Sequence, residues 1–180
     1  MRNPETVVCR LDKKQFPGSE KITPATALLS STFKPTYSAS NCIDGMLQVK
    51  PDRKSMCHSK KESAPWLALD FGKEARVSVE KVVLINRREF SWWKRTRNIQ
   101  IRLSNGLPTS GKEMFSGGEA LGTFKGPATP GQKVEIDSGP GWEKKTGRYL
   151  IVQINFGNPG DYLNLQEVYA VGISGTLRYF

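Results

Sequence analysis

The sequence lacks the features of a membrane-spanning or signal-bearing chain. It has no run of about 18 consecutive apolar residues, the length that a transmembrane helix needs. The residues that follow Met1 also lack the apolar core of a secretory signal. We therefore predict no transmembrane helix, and we expect either an intracellular protein or a secreted one whose signal has been removed.

Histidine and cysteine are scarce, which limits the chemistry that the chain can perform. His58 is the single histidine, and neither a nucleophile motif nor a pair of facing carboxylates accompanies it, so we predict a non-enzymatic protein. The three cysteines, Cys9, Cys42 and Cys57, cannot all pair with one another and fit no zinc pattern. A Cys42–Cys57 disulfide and a buried free thiol are both compatible with the sequence.

Acidic residues are outnumbered, with 17 Asp and Glu against 27 Lys and Arg, for a formal net charge of +10. This charge favours association with polyanions such as nucleic acid, acidic membranes or sulfated glycans, but it does not indicate a fold. Solvated surface lysines and arginines account for most of it.

Long helical periods are absent, and short apolar runs separated by glycine and proline take their place. This pattern predicts an all-β sandwich or jelly roll, with only residues 24–31 suited to a helical turn. We predict an N-terminal arm or edge strand over residues 1–21 and one β-sandwich domain over residues 22–180. The main predicted strands cover residues 66–71, 77–85, 99–103, 134–136, 149–154 and 168–171.

One segment, residues 85–97 (INRREFSWWKRTR), concentrates charge and aromatic rings directly behind an apolar strand. It holds five cations and three aromatic residues around a single acid. Irregular segments on a rigid scaffold can turn donors and ring faces outward, so this segment predicts a binding loop. An anion, a nucleic acid or a sugar would suit it.

Three sequence blocks follow one another before this loop: ATALLSS at residues 25–31, SNCIDG at 40–45 and APWLALDFG at 64–72. In this order they resemble the discoidin, or coagulation-factor type C, superfamily, and the likeness runs over residues 22–173. The resemblance implies a discoidin-like, galactose-binding-domain-like β-sandwich. It indicates the ligand poorly, because one fold hosts many functions.

Within that superfamily the chain is most similar to the F-type lectins, the fucose-binding branch, whose motif joins a His to Arg-x-Asp and a later basic residue. Here His58 is followed by 28 residues, then Arg87, Glu89 and Lys94, and the spacer is slightly longer than the family's. The excess falls in the polar turn 72–76, where insertions are tolerated. The resemblance implies that the three basic groups donate to sugar oxygens while Glu89 holds the cations.

Many F-type lectins cover the apolar face of the sugar with a disulfide between adjacent cysteines, and this chain lacks both. We predict that Phe90, Trp92 or Trp93 takes their place, since aromatic rings accept the C–H face of a sugar. The sugar interpretation requires that His58 and the basic groups meet and that the imidazole stays accessible. We interpret three further arginines as solvated cations: Arg88, Arg95 and Arg97. Of these, Arg95 is the best substitute for Lys94.

The same resemblance implies a structural Ca²⁺ ion, although the Asp44-Gly45 pair would also suit a simple turn. A calcium ion takes about six to eight oxygen ligands. The family's usual disulfide near this site falls on Met56 and Gln166, so calcium is expected to carry more of the stability. The implied ligand residues are Asn41, Asp44, Met46, Ser55, Gln166 and Glu167.

Together these features predict a secreted, calcium-dependent lectin that recognises fucose or a related terminal sugar in adhesion or surface recognition. Its expected partners are fucosylated, acidic or sulfated glycans, with a homo-oligomer for avidity. An alternative is a discoidin-like module that docks on anionic lipid through the aromatic residues of the loop. Another is binding of sulfated polysaccharide through the loop cations, whereas nucleic acid is disfavoured because no motif for it is present.

Overall fold

The computed structural model describes residues 18–47, 56–155 and 161–176, which form a β-sandwich of two antiparallel sheets. One sheet contains, in spatial order, β1 (Glu20–Ile22), β11 (Glu167–Thr176), β5 (Ala75–Ile85) and β8 (Lys133–Asp137). The other contains β2 (Thr26–Leu29), β4 (Trp66–Asp70), β9 (Tyr149–Ile154), β6 (Ile99–Ser104) and β7 (Glu119–Phe124). A short ladder pairs β3 (Cys57–His58) with β10 (Asn164–Leu165), and four 3-10 segments cover Pro35–Tyr37, Ala39–Cys42, Phe90–Arg95 and Trp142–Lys144.

The strand patterns explain why the sheets stack. In β6, Ile99, Ile101 and Leu103 are buried while the residues between them are partly exposed, which gives one core-facing side. Strands β4 and β9 are buried along their whole length. Their outer faces form a second apolar cluster that packs against Leu107 and Phe115, from the glycine-rich connection between β6 and β7. The predicted all-β sandwich is therefore confirmed.

One local prediction is wrong, and one predicted boundary falls inside a strand. Thr26–Leu29 is a strand and not a helical turn, because it pairs with β4 and places Ala27 opposite Leu69. Glu20–Ile22 is an edge strand that pairs with β11, so regular structure starts inside the segment predicted as an arm or edge strand. Residues 1–17 lie outside the described residues. No helix in the described part of the chain is long and apolar enough to cross a membrane.

A disulfide between Cys42 and Cys57 settles the alternative that the sequence left open. Both cysteines are fully buried, and the bridge joins the Ala39–Cys42 segment to β3. The residue after Cys57 is His58, and the turn at Asp44 follows Cys42. One covalent link therefore fastens both predicted sites to the same part of the scaffold.

Candidate functional site

His58 lies on β3, where backbone hydrogen bonds hold it from both sides. Its residue pair in the ladder is Asn164 on β10, and its carbonyl oxygen accepts a hydrogen bond from the amide of Phe33 at 2.9 Å. The next residue, Ser59, donates its amide to the carbonyl oxygen of Leu163. The imidazole thus projects from a fixed backbone.

Three aromatic rings surround this imidazole. Phe33 stacks on it at 5.0 Å between ring centres, while Tyr162 meets it edge-on at 5.4 Å and Tyr37 lies at 5.7 Å. They leave His58 only 7% exposed. The condition that the imidazole stays accessible is therefore not met, which counts against the sugar interpretation, and a ligand has only the 7% exposed part of His58 to contact. The sequence analysis singled out none of the three aromatic residues.

The protonation state of His58 follows from this enclosure. Burial lowers its pKa to about 4, and the positive charges of Arg87 and Arg95 act in the same direction, whereas the hydrogen bond to Ser59 opposes them. Its Nδ1 lies 2.6 Å from the carbonyl oxygen of Ser59, which can only accept, so Nδ1 carries the proton. The neutral ring then presents Nε2 as an acceptor. The sequence-based prediction expected a donor at this position, whereas the neutral ring offers an acceptor.

Arg87 lies two residues after the end of β5 and is almost fully buried beside Glu89. Its Nε donates to Oε2 of Glu89 at 3.1 Å, and one terminal nitrogen lies 3.0 Å from the same oxygen. The guanidinium carbon is 4.9 Å from the ring centre of Trp92. Burial lowers the pKa of Arg87 and the Glu89 charge raises it. Glu89 therefore orients Arg87, which is the role that the resemblance implies for the acid.

Asn86, a residue that sequence reasoning missed, holds the loop in shape. It is fully buried, and its Nδ2 donates to the carbonyl oxygens of Trp93 at 3.0 Å and Thr129 at 2.8 Å. Its Oδ1 accepts a hydrogen bond from the hydroxyl of Thr96 at 2.7 Å. One side chain thus ties the C-terminal half of the 3-10 segment to the scaffold. The only local signal for it is a polar residue directly after a buried apolar strand.

The 3-10 segment Phe90–Arg95 brings a different cation to the site from the one the motif predicts. The guanidinium carbon of Arg95 lies 4.3 Å from the ring centre of Tyr162 and 5.6 Å from that of Trp92. Lys94 is exposed, and its Nζ lies over Trp93 at 5.3 Å. Arg95 therefore shares its aromatic neighbours with His58 and Arg87, in contrast to its interpretation as a solvated cation.

Of the residues predicted as an aromatic platform, Trp92 is 40% exposed. Trp93 is partly buried, with the ammonium group of Lys94 over its ring. The side chain of Phe90 lies outside the described residues.

The predicted calcium loop brings two carboxylates from distant segments together. The amide of Gly45 donates to both carboxylate oxygens of Glu167, at 3.3 and 3.2 Å. Glu167 is only 3% exposed, and burial raises its pKa to about 7, with the nearby charge of Asp44 adding to the rise. The backbone amide of Met46 donates to Oδ1 of Asp44 at 2.8 Å.

The other predicted ligands differ in how the structure describes them. The side chain of Asn41 donates to the carbonyl oxygens of Thr36 and Met56, and its own Oδ1 accepts a hydrogen bond from the hydroxyl of Ser38. Gln166 is buried, and its backbone amide donates to the carbonyl oxygen of Ile85. Ser55 lies outside the described residues.

These residues fit a hard cation, because a buried carboxylate faces a second one and the remaining donors are oxygens. Within the described ranges no group of three or more His, Cys, Asp or Glu side chains is placed to hold a metal. A calcium ion here would thus depend on backbone carbonyls in addition to Asp44 and Glu167.

No protein-family model matches the chain, and no curated protein matches it by sequence. Several solved structures match it by superposition of the fold. A fucolectin from striped bass (Morone saxatilis) serum superposes with a TM-score of 0.69 at 22% identity, covering 85% of this chain and 49% of that one. The chain has the discoidin-like β-sandwich fold of such lectins. It spans about half the length of the striped bass protein.

Two further matches cover nearly whole domains. The lectin domain of lectinolysin in complex with Lewis b antigen has a TM-score of 0.63 at 23% identity, covering 84% of this chain and 95% of that one. A fucose-binding module from Streptococcus pneumoniae has a TM-score of 0.61 at 19% identity, covering 84% of this chain and 96% of that one. These neighbours are non-enzymatic binding modules. At such identities the likeness confirms the predicted fold, and the ligand has to be argued from the site.

Proposed function

We propose that this chain is a non-enzymatic carbohydrate-binding module of the lectin type, which recognises fucose or a related terminal hexose. The observation that carries the proposal is the convergence of a neutral imidazole, two guanidinium groups and exposed indole surface in one cluster. His58, Arg87, Trp92 and Arg95 form it, and Glu89 orients Arg87. The named ligands of the neighbouring structures, fucose and the Lewis b antigen, support it.

The chemistry of the cluster complements a sugar ring. A hydroxyl both donates and accepts, so it can donate to Nε2 of neutral His58 while accepting from a guanidinium nitrogen that Glu89 does not use. Trp92 offers an apolar surface to the C–H face of the ring. A fixed acceptor, fixed donors and an aromatic face together define the orientation of a bound hexose.

Direct binding of L-fucose and D-galactose tests the proposal, by calorimetry or by NMR titration. We expect His58→Phe to weaken binding by about tenfold or more, because it retains a ring among its aromatic neighbours and removes one hydrogen bond. The matched control is Arg88→Gln, which removes an exposed cation next to the site and is expected to bind normally. Absence of binding by the unmodified protein, or unchanged binding by His58→Phe, would contradict the assignment.

A structural calcium ion forms the second part of the proposal. The support is the meeting of Asp44 with buried Glu167 beside backbone oxygens of the same loop. Calcium that binds only the folded state would add about 2.7 kcal/mol at a concentration 100 times its Kd. We expect EDTA to lower the melting temperature of the unmodified protein and to leave Glu167→Gln unchanged. Glu119→Gln, at an exposed position, should respond like the unmodified protein, and equal melting with and without EDTA in all three would refute the site.

We also propose a role outside the cell, in recognition of or adhesion to surfaces that carry such glycans. The support is the buried Cys42–Cys57 disulfide, because disulfides persist mainly in oxidising compartments. A single lectin site is usually weak, so a homo-oligomer would supply avidity. Light scattering of the purified chain and agglutination of glycan-coated particles test this part. A monomer that agglutinates nothing would count against it.

Docking on anionic lipid is the alternative, and the exposed indole of Trp92 is the observation in its favour. It requires vesicle binding that rises with anionic lipid content and is lost when Trp92 and Trp93 are replaced. The partial burial of Trp93 beneath Lys94 weakens it, because an interfacial anchor has to reach the headgroups. Vesicle binding without any monosaccharide binding would favour this alternative over the lectin.

A further inference from the structure

Arg95 differs from the other arginines of the site in how its donors are used. Arg87 pairs with Glu89, and Arg97 lies 3.6 Å from a carboxylate oxygen of Asp161. Among the described residues no carboxylate pairs with Arg95 and no acceptor takes a hydrogen bond from its side chain. Its interactions are with aromatic rings, and it is partly buried.

Two aromatic rings lie close to this guanidinium. Its carbon atom is 4.3 Å from the ring centre of Tyr162 and 5.6 Å from that of Trp92. A guanidinium edge is a planar fork that matches the paired oxygens of a carboxylate or a sulfate.

The charges within the cluster agree with this geometry. The positive charge of Arg87 is offset by Glu89, and His58 is neutral, so Arg95 leaves the cluster with one uncompensated positive charge. It repels Arg87, whose pKa it lowers. A neutral hexose supplies hydroxyl acceptors but no charge to balance this excess.

We propose that Arg95 binds an anionic substituent, a sulfate ester or a carboxylate, on the saccharide whose ring contacts His58 and Arg87. The inference rests on the proposed lectin function and narrows its ligand class to acidic sugars. Tyr162 and Trp92 act as positioning residues, because their rings are the groups that contact the Arg95 guanidinium. Lys94 does not share this role, because its ammonium group lies over Trp93 and is exposed.

The test compares L-fucose with its 2-, 3- and 4-sulfate esters, and D-galactose with D-galacturonate, by calorimetry near physiological salt. We expect the unmodified protein to bind at least one acidic sugar about tenfold or more tightly than its neutral counterpart, as for other charge-assisted hydrogen bonds. Arg95→Gln should remove this preference, so that each acidic sugar binds no more tightly than its neutral counterpart. Lys94→Gln is the matched control, and it should retain the preference.

The outcomes separate this inference from the proposed function. If neutral sugars bind and no acidic sugar binds more tightly, the inference fails and the lectin function stands. If no sugar of either kind binds, both fail. Arg95→Met keeps much of the aliphatic stem and serves where Arg95→Gln unfolds, with folding checked by circular dichroism. Binding to anionic vesicles that requires Arg95 and resists competition by every acidic sugar would overturn the inference in favour of a lipid headgroup.

Discussion

Acidification is expected to destabilise the folded chain through its one histidine. His58 has a pKa of about 4 in the folded protein, against 6.5 for an unperturbed histidine. Between these values the unfolded chain binds a proton that the folded protein does not. Stability from this residue is therefore complete above about pH 6.5 and is lost as the pH falls towards 4.

The size of the loss follows from the difference between the two pKa values. Each unit is worth about 1.36 kcal/mol, so a depression from 6.5 to about 4 corresponds to about 3 kcal/mol of unfolding free energy. Replacing His58 by Phe removes the proton-binding group and keeps an aromatic ring among Phe33, Tyr37 and Tyr162. The variant should lose none of its stability through this route.

Glu167 opposes this effect, and the comparison has to allow for it. In the absence of bound calcium its pKa is raised from 4.5 to about 7, so between those values the folded protein holds a proton that the unfolded chain releases. Its contribution to stability falls as the pH rises, in the direction opposite to that of His58. The unfolding free energy of the unmodified protein can therefore change little with pH. The difference in unfolding free energy between it and His58→Phe isolates the contribution of the histidine.

Urea unfolding of both proteins at about pH 7 and about pH 4.5 measures this difference. We expect the unmodified protein to lose about 2 to 3 kcal/mol relative to His58→Phe over this interval. The imidazole C–H resonances give an independent reading, and with one histidine in the chain their assignment is unambiguous. A folded-state titration near pH 6.5, or a stability difference that does not change with pH, would refute both the enclosure and the acceptor role of His58.

Two further predictions concern the scaffold behind the site. Replacing Cys42 and Cys57 by Ala should lower the unfolding free energy by about 3 kcal/mol, because the bridge joins residues 15 apart; an unchanged urea midpoint would contradict this. Asn86→Ala removes three hydrogen bonds, one of them to the carbonyl of Trp93, and should cost about 2 to 3 kcal/mol and weaken sugar binding. Wild-type stability and affinity in that variant would show that Asn86 does not hold the loop.

The fold was predictable because its long strands bury whole faces. Apolar residues alternate with polar ones in Ile99–Ser104 and form apolar runs in β4, β5 and β9. Such patterns predict the buried positions directly from the sequence. The short strands β1, β2, β3 and β10 have two to four residues each, too few for a period to be visible. They form because neighbouring strands supply hydrogen-bonding partners. Those partners are distant in the sequence, so no local pattern predicts these strands.

The site was predictable in its motif residues and not in its enclosure. His58, Arg87 and Glu89 follow a recognisable spacing, and the structure places them in one cluster. Phe33 and Tyr162 reach the same imidazole from positions more than 100 residues apart, joined only by the tertiary fold. No local pattern marks such rings. They are also what makes His58 neutral, so its hydrogen-bonding role could not be derived from the motif.

The exchange of Lys94 for Arg95 follows from the geometry of the loop. Residues three apart share one side of a 3-10 segment, because it has three residues per turn. Trp92 and Arg95 are three residues apart within Phe90–Arg95, whereas Lys94 points about 120° away from their side. The indole beside Arg87 and the second guanidinium therefore lie on the same side of the segment. A prediction from motif position selects Lys94. The three-residue period of the 3-10 segment selects Arg95 instead, because it lies three residues after Trp92.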